Sequence, residues 1–432
     1  MRKCIISSPV ATQSGYGHHA REFIKHTIEQ QKNKWDIQLI SMPWGHTPFT
    51  YPISEDWKKR IVPLPLKEQP DIWVQITVPN EFQPVGKYNI GVTAVTEGDI
   101  CPADWIDSIN KMNLIIVPSN FSAQVLVKTA EKHKLTIKTD IKVIPEYFDS
   151  NVYNKNAEKV NINGLNDIHE QYCFLFVGHW LQGQVGEDRK NITGLIHTFF
   201  ETFKNKQKKP ALILKTSGAT YSVVDRMDID KKIDQIKSLF SNSDKLPNIY
   251  VLHGDLTNQE MNSLYNHSKI KCMISLTKAE GFGRPLLEFT TTGKPIIAPL
   301  YSGQKDFLNP EFMIPIQGGL TDIHPSARNK FLVEGAKWFT PDYKHVMKTL
   351  KEAVKHYNKF LPLSRKHIKY STDNFSDKSI IRRYKELFNY INSKTSNIPS
   401  NQELKLPKLP KLKSVTDKPN IPKLKLPKLD RV

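Results

Sequence analysis

The strongest constraint on the fold is an alternation that runs through the chain twice. Short β-branched runs ("KCIISS", "DIQLIS", "DIWVQIT", "YNIGVTAV", "NLIIVP", "IKVIP") are separated in places by helical stretches that begin near Gly17 and Ser119. Such alternation marks parallel sheets covered by helices. After the polar stretch "SNVYNKNAEKVNINGLND" the pattern restarts with "YCFLFVG", "ALILKT", "NIYVLHG", "KCMISL" and "KPIIAP", and three helical segments follow from about Pro341 to Ser393. A chain of 432 residues also exceeds one ordinary core. The expectation is an α/β protein with two doubly wound Rossmann-like domains facing a cleft, residues 1–160 and 161–393, the second closed by C-terminal helices.

Residues 394–432 read differently. "LKLPKLPKLKSVTDKPNIPKLKLPKLD" repeats Lys, Leu and Pro, with proline too frequent for a helix and no aromatic to seed a core, so a disordered basic tail is expected. The chain carries 62 Lys and Arg against 43 Asp and Glu, a formal charge of +19, which favours anionic partners: nucleotides, nucleic acid or an acidic membrane surface. Cys4, Cys101, Cys173 and Cys272 stand apart with no C-x-x-C pair, which suggests reduced, buried thiols and no zinc site. "MRKCIISSPV" is unlike a signal peptide and no apolar run reaches the length of a membrane span, so a soluble, cytoplasmic protein is expected.

The chemistry concentrates in "KAEGFGRPLLEF", residues 278–289. It reads as the exit of a strand, a tight Gly281-Phe282-Gly283 turn and the start of a helix, with Glu280 and Glu288 on either side. Amides at a helix start bind anions, and glycines let a phosphate approach the backbone. Two carboxylates cannot face that phosphate as well, because like charges in a cleft repel. They suit hydroxyls instead. A nucleotide sugar has this layout, with ribose at one end, a sugar at the other and a diphosphate between.

Spacing, glycines and setting together resemble the E-x7-E motif of retaining GT-B glycosyltransferases of the glycogen-synthase-like type, glycosyltransferase family four. The likeness spans about residues 5 to 390 and is most specific from 172 to 305. It implies that a Lys and an Arg after the first strand of the second domain grip the diphosphate, so that neither Mg²⁺ nor another cofactor is required. In "FLFVGHWLQGQVGEDRKNITGLIHTF", Lys190 matches the Lys. The Arg position holds His179, which leaves Arg189 or Arg284 to substitute. The resemblance also places the base over Thr216, His253, Gly254 and Leu256, with a UDP-sugar as the favoured donor of a hexosyl or pentosyl group.

In the first domain, "SGYGHHARE" satisfies a dinucleotide fingerprint through Gly15, Gly17 and Ala20. A dehydrogenase would need an acid at the end of the next strand, and Asp36 stands at its beginning. The resemblance instead sets Gly15 and Gly17 across the cleft from the donor phosphates. His18 and His19 lack a third partner at metal spacing, so no metal site is expected. "VTEGDICPADW" brings Glu97 and Asp99 to a strand end, where relatives carry a sugar-contacting His; here they either orient the acceptor hydroxyl or cap the following turn. "SGYGHHARE", "SMPWGHTPF" and "VPNEFQPVGKYNIG" look like a tailed-phage branch. That implies 5-hydroxymethylcytosine in viral DNA as acceptor, in the host cytoplasm. The alternatives are a glycan or lipid-linked acceptor at a membrane surface, and an inactive nucleotide-sugar or nucleic-acid binding module.

Overall fold

The computed structural model describes residues 1–398 except His46, Leu181, Gln182, Gln184, Val185 and Ala219. The first half contains β1 (Arg2–Ser8), α1 (Gly15–Gln31), β2 (Trp35–Ser41), α2 (Glu55–Lys59), β3 (Ile72–Ile76), β4 (Tyr88–Val92), α3 (Asp104–Ile109), β5 (Leu114–Val117), α4 (Asn120–His133) and β6 (Asp140–Val143). Its six strands form one parallel sheet in the order β2-β1-β3-β4-β5-β6. The second half runs β7 (Cys173–Val177), α5 (Ile192–Phe203), β8 (Ala211–Lys215), α6 (Val223–Lys237), β9 (Ile249–Leu252), α7 (Asn258–Asn266), β10 (Ile270–Ile274), α8 (Arg284–Thr290), β11 (Ile296–Pro299) and β12 (Ile314–Ile316). Its sheet is also parallel, in the order β12-β11-β10-β7-β8-β9. A hairpin, β13 (Gly318–Asp322) with β14 (Lys337–Pro341), and three helices, α9 (Tyr343–Lys355), α10 (Tyr357–Phe375) and α11 (Asp377–Thr395), complete the fold.

The strands are apolar on both faces because both faces are covered. In β1, Cys4 and Ile6 point into the layer shared with α1 and α11, while Ile5 points into the layer of α3 and α4. In β7, Cys173 and Leu175 face one layer and Phe174 and Phe176 the other. All four cysteines are buried free thiols.

The last helix departs from expectation. The sequence places all three closing helices in the second domain, yet α11 buries Ile380, Tyr384, Leu387, Phe388 and Ile391 against the first sheet. Each such side chain contributes about 1.5–3 kcal/mol on burial, enough to anchor the chain end to the first domain. β12 and the β13–β14 hairpin were not foreseen. From residue 399 onward the Lys- and Pro-rich tail lies outside the described residues.

Candidate active site

In the second sheet the strand order reverses between β7 and β10, and the loops leaving those two strands diverge. Crevices at such points, beyond the carboxyl ends of the strands, are where doubly wound sheets bind ligands. The loop after β7 brings Arg189 and Lys190 there, and the loop after β10 brings Glu280. Lys190 Nζ donates to Glu280 Oε1 at 2.6 Å, and Thr277 Oγ1 donates to the same oxygen at 2.8 Å. Arg189 Nη1 lies 3.4 Å from Glu280 Oε2, and its Nη2 lies 3.3 Å from Glu97 Oε1 on the opposite domain. The side chains of Arg189, Lys190 and Glu280 are only 12 to 14% exposed, so the charges act on each other through little water.

Burial alone would raise the Glu280 carboxyl, but Lys190 and Arg189 outweigh it and hold the group below its ordinary value. Burial lowers Lys190 despite Glu280, whereas Glu97 and Glu280 overcome burial and raise Arg189. Glu280 is therefore ionised at neutral pH and Arg189 charged.

Two loops hold this arrangement. Asp188 is fully buried and caps α5, accepting from Ile192 N at 2.9 Å and from Thr193 Oγ1 at 2.6 Å. Asn191 then takes a left-handed conformation, φ 53°, which asparagine tolerates. The Arg189 strand of the loop is joined to the β10 exit by Lys278 N to Arg189 O at 2.8 Å and Arg189 Nη1 to Ala279 O at 2.9 Å. Ser302 Oγ accepts from Glu280 N at 2.9 Å. Gly283 has φ +99°, so the turn before α8 requires glycine. Sequence reading missed Asp188, Thr277 and Ser302. Asp188 adjoins the Arg-Lys pair, which is the one local signal that pointed to it.

Across the cleft, Gly17 in the first turn of α1 lies so close to Thr12 that a Cβ would lie 2.3 Å from its carbonyl oxygen. Gly15 meets no such obstacle. Tyr16 OH lies 3.0 Å from Thr93 Oγ1 and accepts from Ala94 N at 3.0 Å, tying the glycine turn to the end of β4. The next residue, Val95, has φ +61°, a costly conformation for a β-branched side chain and one that concentrates at functional sites. Ser119 Oγ donates to Gly281 O at 2.6 Å, and a Cβ on Gly281 would lie 3.1 Å from Ala94 Cβ, so the domains touch at the glycine turn. Glu97 reaches the cluster and Asp99 does not. Asp99 Oδ1 instead accepts from Lys337 N at 2.6 Å, fastening the first domain to the hairpin.

The residues expected to carry the base lie at two strand ends. Thr216, after β8, is buried with its hydroxyl unpartnered, and His253, after β9, holds Asp225 at 2.8 Å. Lys215 Nζ donates to Gly254 O, and Leu256 is half-buried against the second core. His179 lies 3.0 Å from Ser217 Oγ; burial and then Lys190 and Lys215 lower it, so it is a neutral imidazole.

The far end of the motif differs from expectation. Arg284, a candidate for the diphosphate, is surrounded by carboxylates: it donates to Glu22 on α1, its Nε donates to Glu146 Oε2 at 3.2 Å, and Nη1 lies 3.6 Å from Glu288 Oε1. Glu288, expected to face ribose, is 4% exposed and accepts from Tyr265 OH at 3.0 Å. Burial raises Glu288 against the pull of Arg284 and Tyr265, and burial raises Glu22 despite Arg284. His19 Nδ1 lies 3.5 Å from Glu146 Oε1, and one ligand atom each from His19, Glu22 and Glu146 falls within 4.8 Å of the others. The partners that sequence reading did not find for His19 are thus supplied by the fold. A cavity of about 250 Å³ adjoins this cluster, lined in part by His18, Arg21, Glu22, Lys25, Tyr147 and Arg284.

No family model matches this chain, and no curated protein matches it in sequence. Solved structures do match it in shape. Anabaena HepE in complex with UDP and glucose covers 90% of this chain and 100% of its own, with TM-score 0.56 and 11% identity. The fold is GT-B. Sucrose-phosphate synthase from Thermosynechococcus elongatus matches with TM-score 0.59 and 10% identity over 91% of this chain and 100% of its own. The lipopolysaccharide outer core galactosyltransferase WaaB matches with TM-score 0.54 and 12% identity over 91% and 100%. At these identities the likeness is one of fold. Among the described residues, no helix is long and apolar enough to cross a membrane.

Proposed function

We propose that this chain is a glycosyltransferase that takes a sugar from a nucleoside diphosphate sugar, UDP-sugar by preference, and transfers it to a hydroxyl with retention at the anomeric carbon. The observation that carries the reading is the meeting of Lys190, Arg189 and Glu280 at the switch point of the second sheet. Without donor, Glu280 neutralises the two cations. A diphosphate takes its place on Lys190 and Arg189, and the freed carboxylate turns to the hydroxyls of the sugar. As the bond from anomeric carbon to phosphate oxygen breaks, negative charge grows on the diphosphate, where the two cations stabilise it without reorganising. The acceptor oxygen bonds to the same face of the sugar and its proton passes to the departing phosphate. Glu97, held by Arg189, stands on the acceptor side of the cleft. HepE, described with UDP and glucose, supports the choice of donor.

For the acceptor, the charge of +19 and the Lys-rich tail favour a polyanion, and the reading is 5-hydroxymethylcytosine in viral DNA. The name of WaaB favours a second reading, a glycan or lipid-linked acceptor. Release of UDP from a panel of UDP-sugars, with hydroxymethylated DNA, unmodified DNA or glycans, tests both. The first reading expects turnover only with the hydroxymethylated duplex. Turnover with glycans alone replaces it by the second, and no release from any donor overturns the transferase assignment.

A further inference from the structure

We propose that His19, Glu22 and Glu146 bind one divalent transition-metal ion of the zinc class where α1 meets the segment leaving the first sheet. This site is separate from the Lys190–Glu280 cluster and does not depend on the proposed transfer reaction.

His19 and Glu22 stand three residues apart on α1 and so share a helix face. Glu146 comes from the segment after β6. Arg284 engages only one oxygen of each carboxylate, Oε1 of Glu22 and Oε2 of Glu146. The other half of the cluster is unsatisfied: His19 Nδ1 and Glu22 Oε2 are buried without a hydrogen-bond partner, and the residues are 7% and 6% exposed. Buried polar atoms ordinarily have partners, so two orphans within one cluster of ligand-bearing side chains point to a missing ligand. The 3.5 Å between His19 Nδ1 and Glu146 Oε1 is long for a hydrogen bond, but two ligands bonded to one tetrahedral zinc lie about 3.4 Å apart. Three carboxylates, Glu22, Glu146 and Glu288, contact the single guanidinium of Arg284, so a dication meets formal negative charge that Arg284 leaves uncompensated.

The donor set selects the ion. One imidazole with two carboxylates suits zinc and its neighbours, whereas Mg²⁺ and Ca²⁺ prefer oxygen alone. Glu22 also lines the adjoining cavity, which admits water to complete the coordination. The ion would tie α1, which starts at the Gly15–Gly17 turn, to the connection between the sheets and, through the shared carboxylates, to Arg284 at the start of α8. Its role is to brace the two domains.

Calorimetric titration of the chelator-treated full chain with ZnCl₂, followed by metal analysis after gel filtration, tests this. One tight equivalent is expected in the wild type and in His169→Ala, an exposed control. His19→Ala should weaken it by about 100-fold or more, beyond the loss of an outer-shell partner. Zinc should also raise the melting temperature of the wild type and not that of His19→Ala. If His19→Ala does not fold, Glu146→Gln takes its place with the same expectation. A wild type that retains no zinc, or variants that retain it as tightly, overturns the site.

Discussion

Glu280 and Glu288 stand eight positions apart, and they end in two ion clusters of opposite balance. Around Glu280, two cations face two carboxylates, Arg189 and Lys190 against Glu280 and Glu97. Around Glu288, one cation faces three carboxylates, Arg284 against Glu22, Glu146 and Glu288. In the matched cluster the carboxyl of Glu280 is held down, and in the acid-rich one those of Glu22 and Glu288 are pushed up by burial. The two ends of one motif therefore sit in opposite charge environments. A matched cluster can exchange a carboxylate for an incoming diphosphate. An acid-rich cluster around one guanidinium holds the domains together and has no cation to spare for a phosphate.

The largest expected effect tests the second half of that contrast. Arg284→Met leaves the buried Glu22 and Glu288 and the partly buried Glu146 without the guanidinium they share and should destabilise the fold by about 3–5 kcal/mol, read by urea denaturation. Stability within about 0.5 kcal/mol of wild type would remove the brace from the account. Lys190→Met should cost less stability, because Arg189 still faces Glu280, and lower kcat by about a hundredfold or more, as losing one donor to a developing oxyanion does. Loss of stability without loss of kcat would exchange the roles of the clusters. Glu280→Ala should lower kcat with little change in KM. Glu288→Ala should lower stability first, and a raised KM with unchanged stability would return Glu288 to the ribose.

The smallest effect is in pH. Because the folded Glu280 carboxyl is held below its ordinary value of 4.5, its ion pairs stabilise the fold above that pH and the contribution is lost as pH falls through the lower folded value. The stability difference between wild type and Glu280→Gln should therefore be largest above about 4.5 and shrink on acidification. A difference that grows toward low pH contradicts the ion-pair assignment.

Sequence reading reached the sheets because each strand of "KCIISS" or "YCFLFVG" type is apolar on both faces, a pattern that only a covered parallel strand explains. It did not reach β12, whose three residues Ile314–Ile316 carry no period, or the hairpin, whose β13 is exposed throughout. The stripe of Ile380, Tyr384, Leu387 and Ile391 announced a helix but not the sheet it would cover. Lys190, Glu280 and the glycine turn were legible because the loops that carry them follow recognisable strands. The contacts of Arg284 were not, because Glu22 and Glu146 lie 262 and 138 positions away and only the closed fold brings them together. The contact of Asp99 was not legible for the same reason, since its partner is a backbone amide of the hairpin, 238 positions away.

In the proposed reaction, Lys190 and Arg189 hold the diphosphate in competition with Glu280. Calorimetric titration of UDP into wild type, Lys190→Met and Glu280→Ala tests it most directly. UDP lacks the transferred sugar that Glu280 is proposed to contact, so Glu280→Ala loses no contact with it and relieves the competition for both cations. The account predicts weaker UDP binding by Lys190→Met and equal or tighter binding by Glu280→Ala. Unchanged binding by Lys190→Met, or binding lost in Glu280→Ala, would contradict it.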